Sequence, residues 1–176
     1  KSSLLGNRRV EVIPNPIDTD VYLPKGKKSA KATFGVNEDS ICISFVAANV
    51  GDVRKGFEYL RKALWKIKEK YPEWDNKVKL LVMGEEKTEV NLDLPFEYSF
   101  TGYLNDEPRI VDFYNASDVF VLPSLEENLP NTIMEALSCG VPSVAFEIGG
   151  IPDLIDHKQN GYLAKYSNVE DLANGI

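Results

Sequence analysis

Residues 118 to 154 read DVFVLPSLEENLPNTIMEALSCGVPSVAFEIGGIPDL, and they hold two carboxylates in a setting that suits one class of ligand. Val119, Phe120, Val121 and Leu122 form an unbroken apolar run, as expected of a strand covered on both faces in a parallel sheet, and Pro123-Ser124 ends it. A loop carrying Glu127 then passes through Pro130 into a short helix, where Leu129, Ile133 and Leu137 recur every fourth residue and predict its core side. Thr132 and Glu135 share the other face. A helix that begins at the carboxyl end of a parallel strand turns its free N–H groups to the edge where open α/β sheets bind ligands, and those groups suit a phosphate. Glu127 and Glu135 repel phosphate and suit hydroxyl groups. Phosphate joined to polyhydroxyl describes a nucleotide sugar.

The rest of the chain extends this pattern. Strand candidates are residues 10–13, 41–48, 78–83, 98–100, 119–122, 143–146 and 161–164. Helical candidates fall between several of them. Residues 56–71 place Phe57, Leu60, Leu64 and Ile67 on one face; residues 107–116 turn Ile110, Phe113 and Tyr114 inward; residues 151–156 make a short helix and another begins at Val169. This alternation predicts a Rossmann-like α/β fold, a parallel sheet with helices on both faces. No internal repeat or low-complexity segment interrupts it.

At 176 residues the chain suits one well-buried domain. Hydrophobic residues at 43% and charged residues at 27% are ordinary for a globular protein, and no apolar stretch approaches a membrane span. The first nine residues lack the apolar core of a signal peptide. Cys42 falls in a central strand candidate and Cys139 at a helix end, so free thiols and a cytoplasmic location are expected. The formal net charge of −7 argues against a nucleic-acid partner. Lysines do cluster at residues 25–31 and along 61–70, and both clusters read as solvated faces.

The opening stretch resembles the group 1 glycosyltransferases, retaining enzymes of the GT-B fold that use nucleotide-sugar donors. Their signature is Glu, seven residues, Glu, a small residue and a Gly-x-Pro turn, and here Glu127, NLPNTIM, Glu135, Ala136 and Gly140-Val141-Pro142 match it. Further family-like pieces stand in family order: IPNPIDTDVY at 13–22, RKGF at 54–57, SFTGYLND at 99–106, GGIPDLI at 149–155 and NGYL at 160–163. The resemblance covers nearly the whole chain and implies the carboxy-terminal, donor-binding half of a GT-B enzyme. On that reading residues 1–9 are a remnant of an interdomain linker and residues 10–176 are the nucleotide-sugar-binding domain, with the acceptor-binding domain and the last helices lying elsewhere.

The resemblance also assigns roles. Glu135 takes the ribose hydroxyls, a task for an ionised carboxylate with two acceptor oxygens, and Glu127 faces the donor sugar. Backbone groups of Asn128, Leu129 and Asn131 grip the donor, and Thr132 donates to phosphate. Lys55 neutralises the pyrophosphate. The family places a Gly-Arg pair five or six residues before that lysine; this chain has Asn49-Val50 there, so Arg54 is the stand-in. Glu127, Lys55 and Arg54 are thus the candidate catalytic residues. The base lies over Met83-Gly84 and Gly102-Tyr103, read through backbone groups, and Gly149-Gly150 makes a tight turn. Asp18-Thr19-Asp20 spells the metal-binding Asp-x-Asp of a different glycosyltransferase fold, but it follows Pro14-Asn15-Pro16 and reads as a turn. With His157 alone in a polar loop, no set of residues has metal-ligand spacing, and the site is expected to work without metal.

The expected reaction is transfer of a sugar from a UDP- or GDP-linked donor to a hydroxyl acceptor with retention, in polysaccharide or glycolipid biosynthesis. No cofactor beyond the donor is implied, and a full-length enzyme has room for peripheral membrane association. The donor half alone is expected to be inactive. Two other readings stay open: a nucleotide-sugar epimerase of the same fold, and a non-catalytic nucleotide-binding module.

Overall fold

A computed structural model describes residues 9, 11, 13, 15–47, 49–85 and 92–176. Six strands form one sheet: β1 (Ile41–Val46), β2 (Val78–Met83), β3 (Glu97–Phe100), β4 (Val119–Leu122), β5 (Ser143–Phe146) and β6 (Gly161–Ala164). Every pairing is parallel, and the order across the sheet is β3-β2-β1-β4-β5-β6. The helices are α1 (Lys27–Thr33), α2 (Phe57–Lys70), α3 (Glu107–Ala116), α4 (Asn131–Ser138) and α5 (Val169–Gly175). This is the expected Rossmann-like α/β fold.

The alternation of side chains along each strand splits the core into two layers. Ile43, Phe45, Leu80, Val121 and Phe146 face α2 and α5, packing on Leu60, Leu64, Ile67 and Leu172. Cys42, Leu81, Phe120, Leu122 and Ala145 face the other way, onto Val111, Phe113, Tyr114, Ile133 and Ala136. All four residues of β4 are buried, as its unbroken apolar run requires. The α2 face is the expected one, whereas α3 buries Val111 with Phe113 and Tyr114 and leaves Ile110 half-buried. Both cysteines are free and buried.

Three expectations need correction. Of the strand placed at residues 10–13, Val10 and Val12 lie outside the described residues, while Glu11 and Ile13 have no strand partner and Ile13 is 85% exposed. The strand placed at 41–48 ends at Val46, and Ala48 also lies outside the described residues. The segment 151–156 winds only as a 3-10 turn over Ile151–Asp153.

The lysine cluster at 25–31 is not a solvated face throughout. It supplies α1, and Lys31 is buried, its Nζ donating to the carbonyls of Glu38 at 3.2 Å and Ser40 at 2.6 Å and pairing with Asp118 Oδ2 at 2.9 Å. Asp118 also takes Lys27 Nζ at 2.8 Å and the N–H of Cys42 at 2.8 Å, so one carboxylate fastens α1 to the amino edge of β1 and β4. Partial burial works to raise its pKa, but the Cys42 N–H and the two ammonium groups outweigh that and hold it below the usual carboxylate value.

Asp118→Asn is therefore expected to destabilise the domain by about 2–3 kcal/mol, less than a fully stranded buried charge costs because Asp118 is partly open to water. The depressed value means that this stabilisation is fully present above the unfolded carboxylate pKa of about 3.9 and is lost as pH falls through the lower folded value. Urea unfolding of both proteins at neutral and acid pH should show the gap closing only at the acid end.

Candidate nucleotide-sugar site

The sheet changes direction of growth between β1 and β4, because β2 and β3 add on one side and β5 and β6 on the other. Loops leaving the carboxyl ends of these two strands diverge and leave a crevice, the usual ligand position in open α/β sheets. After β1, Asp52 accepts the N–H of Arg54 at 3.0 Å and starts a 3-10 turn over Val53–Lys55. Gly56 ends that turn with φ 67°, and a Cβ there would stand 1.8 Å from the carbonyl oxygen of Pro123. Only glycine lets the turn rest against the end of β4. The N–H of Leu125 then donates to the Arg54 carbonyl at 2.8 Å, joining the two loops.

A third loop, after β5, joins them by the same device. Gly149 has φ 53°, and its Cβ would meet the Glu127 carbonyl oxygen at 2.0 Å, while the N–H of Gly150 donates to the Asn128 carbonyl at 2.6 Å. The expected tight turn is present, and its purpose is close approach to the Glu127 loop.

These loops enclose an open cleft of about 610 Å³ lined by Arg54, Lys55, Leu125, Glu126, Glu127, Asn128, Ile148 and Gly149. Lys55 Nζ lies 2.8 Å from Glu127 Oε1, a pair made across 72 residues of sequence. Its carboxylate is the better shielded partner, at 14% exposure against 39% for the lysine. Arg54 stands at the cleft with its guanidinium already engaged: Nη2 meets Asp52 Oδ2 at 2.8 Å and Nε meets Oδ1 at 3.2 Å. That contact lowers the Asp52 pKa and raises that of Arg54. Of the two expected cations, Lys55 is the one that reaches across to the second wall.

Helix α4 begins beside the cleft. Pro130 precedes it and among the described residues no side chain caps it; the N–H of Ile133 donates to the Pro130 carbonyl at 3.2 Å, and those of Asn131 and Thr132 are left without an acceptor in the helix. Asn131 Oδ1 accepts from Asn15 Nδ2 at 3.3 Å, which ties the segment before α1 to this end. Thr132 and Leu129 are half-buried. The buried set is Ile133 and Ala136 rather than Leu129, Ile133 and Leu137, because the helix starts at Asn131 and leaves Leu129 in the loop.

Glu135 stands within α4. It is half-buried, and the Tyr114 hydroxyl donates to its Oε2 at 2.7 Å. Burial raises its pKa, and the Tyr114 hydrogen bond opposes that rise. Glu135 does not line the cleft that holds Glu127. Tyr114 was placed inward by its apolar spacing, and the only signal of a polar task was its residue type, since a buried phenol needs an acceptor.

Gly102 and Tyr103 follow β3 at the same carboxyl edge of the sheet, outside the cleft lining. Gly102 has φ 71° and its carbonyl accepts the N–H of Gly84 at 3.2 Å, which fastens the ends of β2 and β3, and Tyr103 is 65% exposed. Asp18 accepts the N–H of Asp20 at 3.0 Å through its own Oδ1, forming the expected turn. His157 is exposed, with Nδ1 accepting the Leu163 N–H at 3.1 Å. Among the described residues, no three metal-binding side chains stand together, and no helix is long and apolar enough to cross a membrane.

Fold and cleft together define a Rossmann-like domain with charged groups on both walls of its switch-point crevice. Comparison with known proteins names the family: a family model described as glycosyl transferases group 1 matches residues 42–176. The chain belongs to the group 1 glycosyltransferases, and its fold is that of the carboxy-terminal half of a GT-B enzyme. An uncharacterised glycosyltransferase of Haemophilus influenzae is 34% identical over 128 residues, covering 69% of this chain and 35% of that protein. The Escherichia coli UDP-Gal:alpha-D-GlcNAc-diphosphoundecaprenol alpha-1,3-galactosyltransferase is 30% identical over 179 residues, covering 96% of this chain and 44% of that one. The chain thus spans about two-fifths of the length of the curated relatives it matches. Among solved structures, Anabaena Alr3699/HepE in complex with UDP and glucose superposes with a TM-score of 0.75 at 22% identity, over 93% of this chain and 45% of that one. At that identity the likeness is one of fold.

The loop geometry makes a prediction of its own. Alanine at Gly56 or Gly149 must adopt a left-handed backbone and displace a carbonyl oxygen, so each substitution is expected to cost about 2 kcal/mol or more. Thermal unfolding of the two variants checks this; a midpoint unchanged in both would show that the loops are not fixed by these contacts.

Proposed function

We propose that this chain is the donor-binding unit of a retaining glycosyltransferase that moves a sugar from a UDP- or GDP-linked donor to a hydroxyl acceptor held by a further domain, in polysaccharide or glycolipid biosynthesis. The observation that carries this reading is the meeting of Lys55 and Glu127 from opposite walls of the switch-point cleft. A nucleotide sugar presents both things these side chains select, a diphosphate for the ammonium group and sugar hydroxyls for the carboxylate.

As the bond between sugar and diphosphate breaks, negative charge grows on the leaving oxygen. Lys55 and the uncapped first turn of α4 supply the opposing positive charge, an electrostatic contribution made where the charge develops. Arg54 lines the same cleft, its charge shared with Asp52. Glu127 accepts from sugar hydroxyls, Glu135 from the ribose, and Thr132, Asn131, Asn128 and Leu129 bind through the start of α4 and the loop before it. The base rests on backbone near Gly102 and Tyr103. Crystal structures of the similarly folded Anabaena protein in complex with UDP support a nucleotide ligand for this architecture.

The pair also sets what each half of it does before the donor arrives. Glu127 already pairs with Lys55, so a diphosphate that approaches the ammonium meets a carboxylate beside it. Titration calorimetry with UDP and GDP tests this. Lys55→Ala should lose roughly tenfold or more in affinity, the worth of a charged hydrogen bond. Glu127→Gln should bind free diphosphate more tightly than the parent while lowering turnover of the intact enzyme, because the sugar contact is lost. Unaltered UDP and GDP affinity in Lys55→Ala would place the diphosphate elsewhere and remove the basis of the proposal.

A further inference from the structure

Tyr114 is 1% exposed and has no place among the donor contacts, yet it is the partner of one of the two motif glutamates. Its ring is fixed by edge-on contacts with Phe113, at 5.4 Å between centroids, and with Phe120 of β4, at 5.6 Å. Held in this way, the hydroxyl meets Glu135 Oε2 at 2.7 Å, and among the described residues Oε1 has no protein partner.

We propose that Tyr114 is the positioning residue for Glu135: its buried hydroxyl occupies Oε2 and fixes the carboxylate on α4, leaving Oε1 to accept from the ribose of the nucleotide. The inference rests on the assignment of Glu135 to ribose given above, and it names a residue outside the glutamate motif on which that assignment depends.

The direction of the hydrogen bond is settled by chemistry. Burial, together with the negative charge of Glu135, raises the Tyr114 pKa well above its usual value, so the phenol keeps its proton and donates it to the ionised carboxylate. Other groups facing Glu135 give no comparable help. Tyr22, from the segment before α1, is pushed up to about 12, chiefly by burial and then by Glu135. Cys139, at the end of α4, is pushed up to about 11 by burial. Both are neutral at physiological pH and offset no charge. Glu107 acts on this group at Tyr22, and Lys25 at Cys139. Burial favours the protonated acid, and the Tyr114 hydroxyl is the contact that favours the anion. A protonated Glu135 has one fewer acceptor to offer, so ribose binding follows the ionised form.

Tyr114→Phe removes the hydroxyl and keeps the ring that packs against Phe113 and Phe120. Calorimetry on this chain with UDP, GDP and inorganic pyrophosphate, each from mildly acidic to mildly alkaline buffer, reads the consequence. The variant should bind UDP and GDP about threefold to tenfold more weakly at alkaline pH, the worth of one hydrogen bond. Its acid limb should move to higher pH, because nothing then opposes the effect of burial on Glu135. The ligand's own titration is common to both proteins and cancels. Pyrophosphate, which has no ribose, should bind both proteins alike, and Tyr114→Phe should cause no further loss in a Glu135→Gln background. An acid limb that stays in place, or an equal loss for pyrophosphate, would overturn the positioning role and leave the ribose assignment standing. Parent-like UDP and GDP binding by Glu135→Gln would overturn the ribose assignment and this inference with it.

Discussion

Everything at the candidate site depends on the close approach of backbones at the carboxyl ends of β1 and β4. Neighbouring parallel strands whose successors leave in opposite directions cannot fill the gap between them with their own connections. The gap narrows to a cleft only because the turn after β1 rests on Pro123 and the turn after β5 rests on Glu127, each at a glycine where a side chain would collide with a carbonyl oxygen. Two backbone hydrogen bonds, from Leu125 to Arg54 and from Gly150 to Asn128, then hold three loops as one body. Lys55 and Glu127 are neighbours as a result of that stitching.

The two motif glutamates have unlike surroundings, and their chemistry diverges accordingly. Glu127 faces a cation, which a diphosphate can take over; Glu135 faces a neutral donor, which leaves its charge uncompensated. A carboxylate paired with an ammonium shares that partner with any anion that enters, so Glu127 is the member of the site whose contact the proposed ligand would alter. One that is wedged beside a fixed phenol stays where it is. Spacing of seven residues places the first in a loop and the second within α4, and this difference in backbone support matches the difference in the tasks proposed for them.

Much of the fold was legible because its signals are periodic or contiguous. The apolar run of β4 and the four core residues of α2 need no knowledge of distant contacts. The meeting of Lys55 and Glu127 was legible as well, through motifs and through the rule that loops at one sheet edge share a site, whereas Glu135 and Gly102, assigned to the same donor, stand outside the lining of that cleft. What escaped the sequence depends on partners far along the chain. Lys31 looks like any surface lysine until Asp118, Glu38 and Ser40 are brought to it. Tyr114 looks like an aromatic core residue until α4 delivers Glu135 to its hydroxyl. Arg54 reads as a free cation until the fold of its own turn gives it to Asp52.

Buried or half-buried lysines at the two edges of the sheet show how structural and functional charge differ here. At the amino edge, Lys31 has three hydrogens and three acceptors, and Asp118 takes two lysines and a backbone N–H. Lys31 is saturated, and it has no hydrogen left for a ligand. At the carboxyl edge, Lys55 has one acceptor among the described residues, Glu127, and both border an open cleft. An ammonium with unused hydrogens beside solvent gains little from a single pair, because water already serves it well. A diphosphate offers several oxygens at once and excludes that water, so the same lysine contributes more with ligand than without. The incomplete coordination of Lys55 is what the proposed diphosphate would complete, whereas the complete coordination of Lys31 makes that lysine a fixed part of the frame.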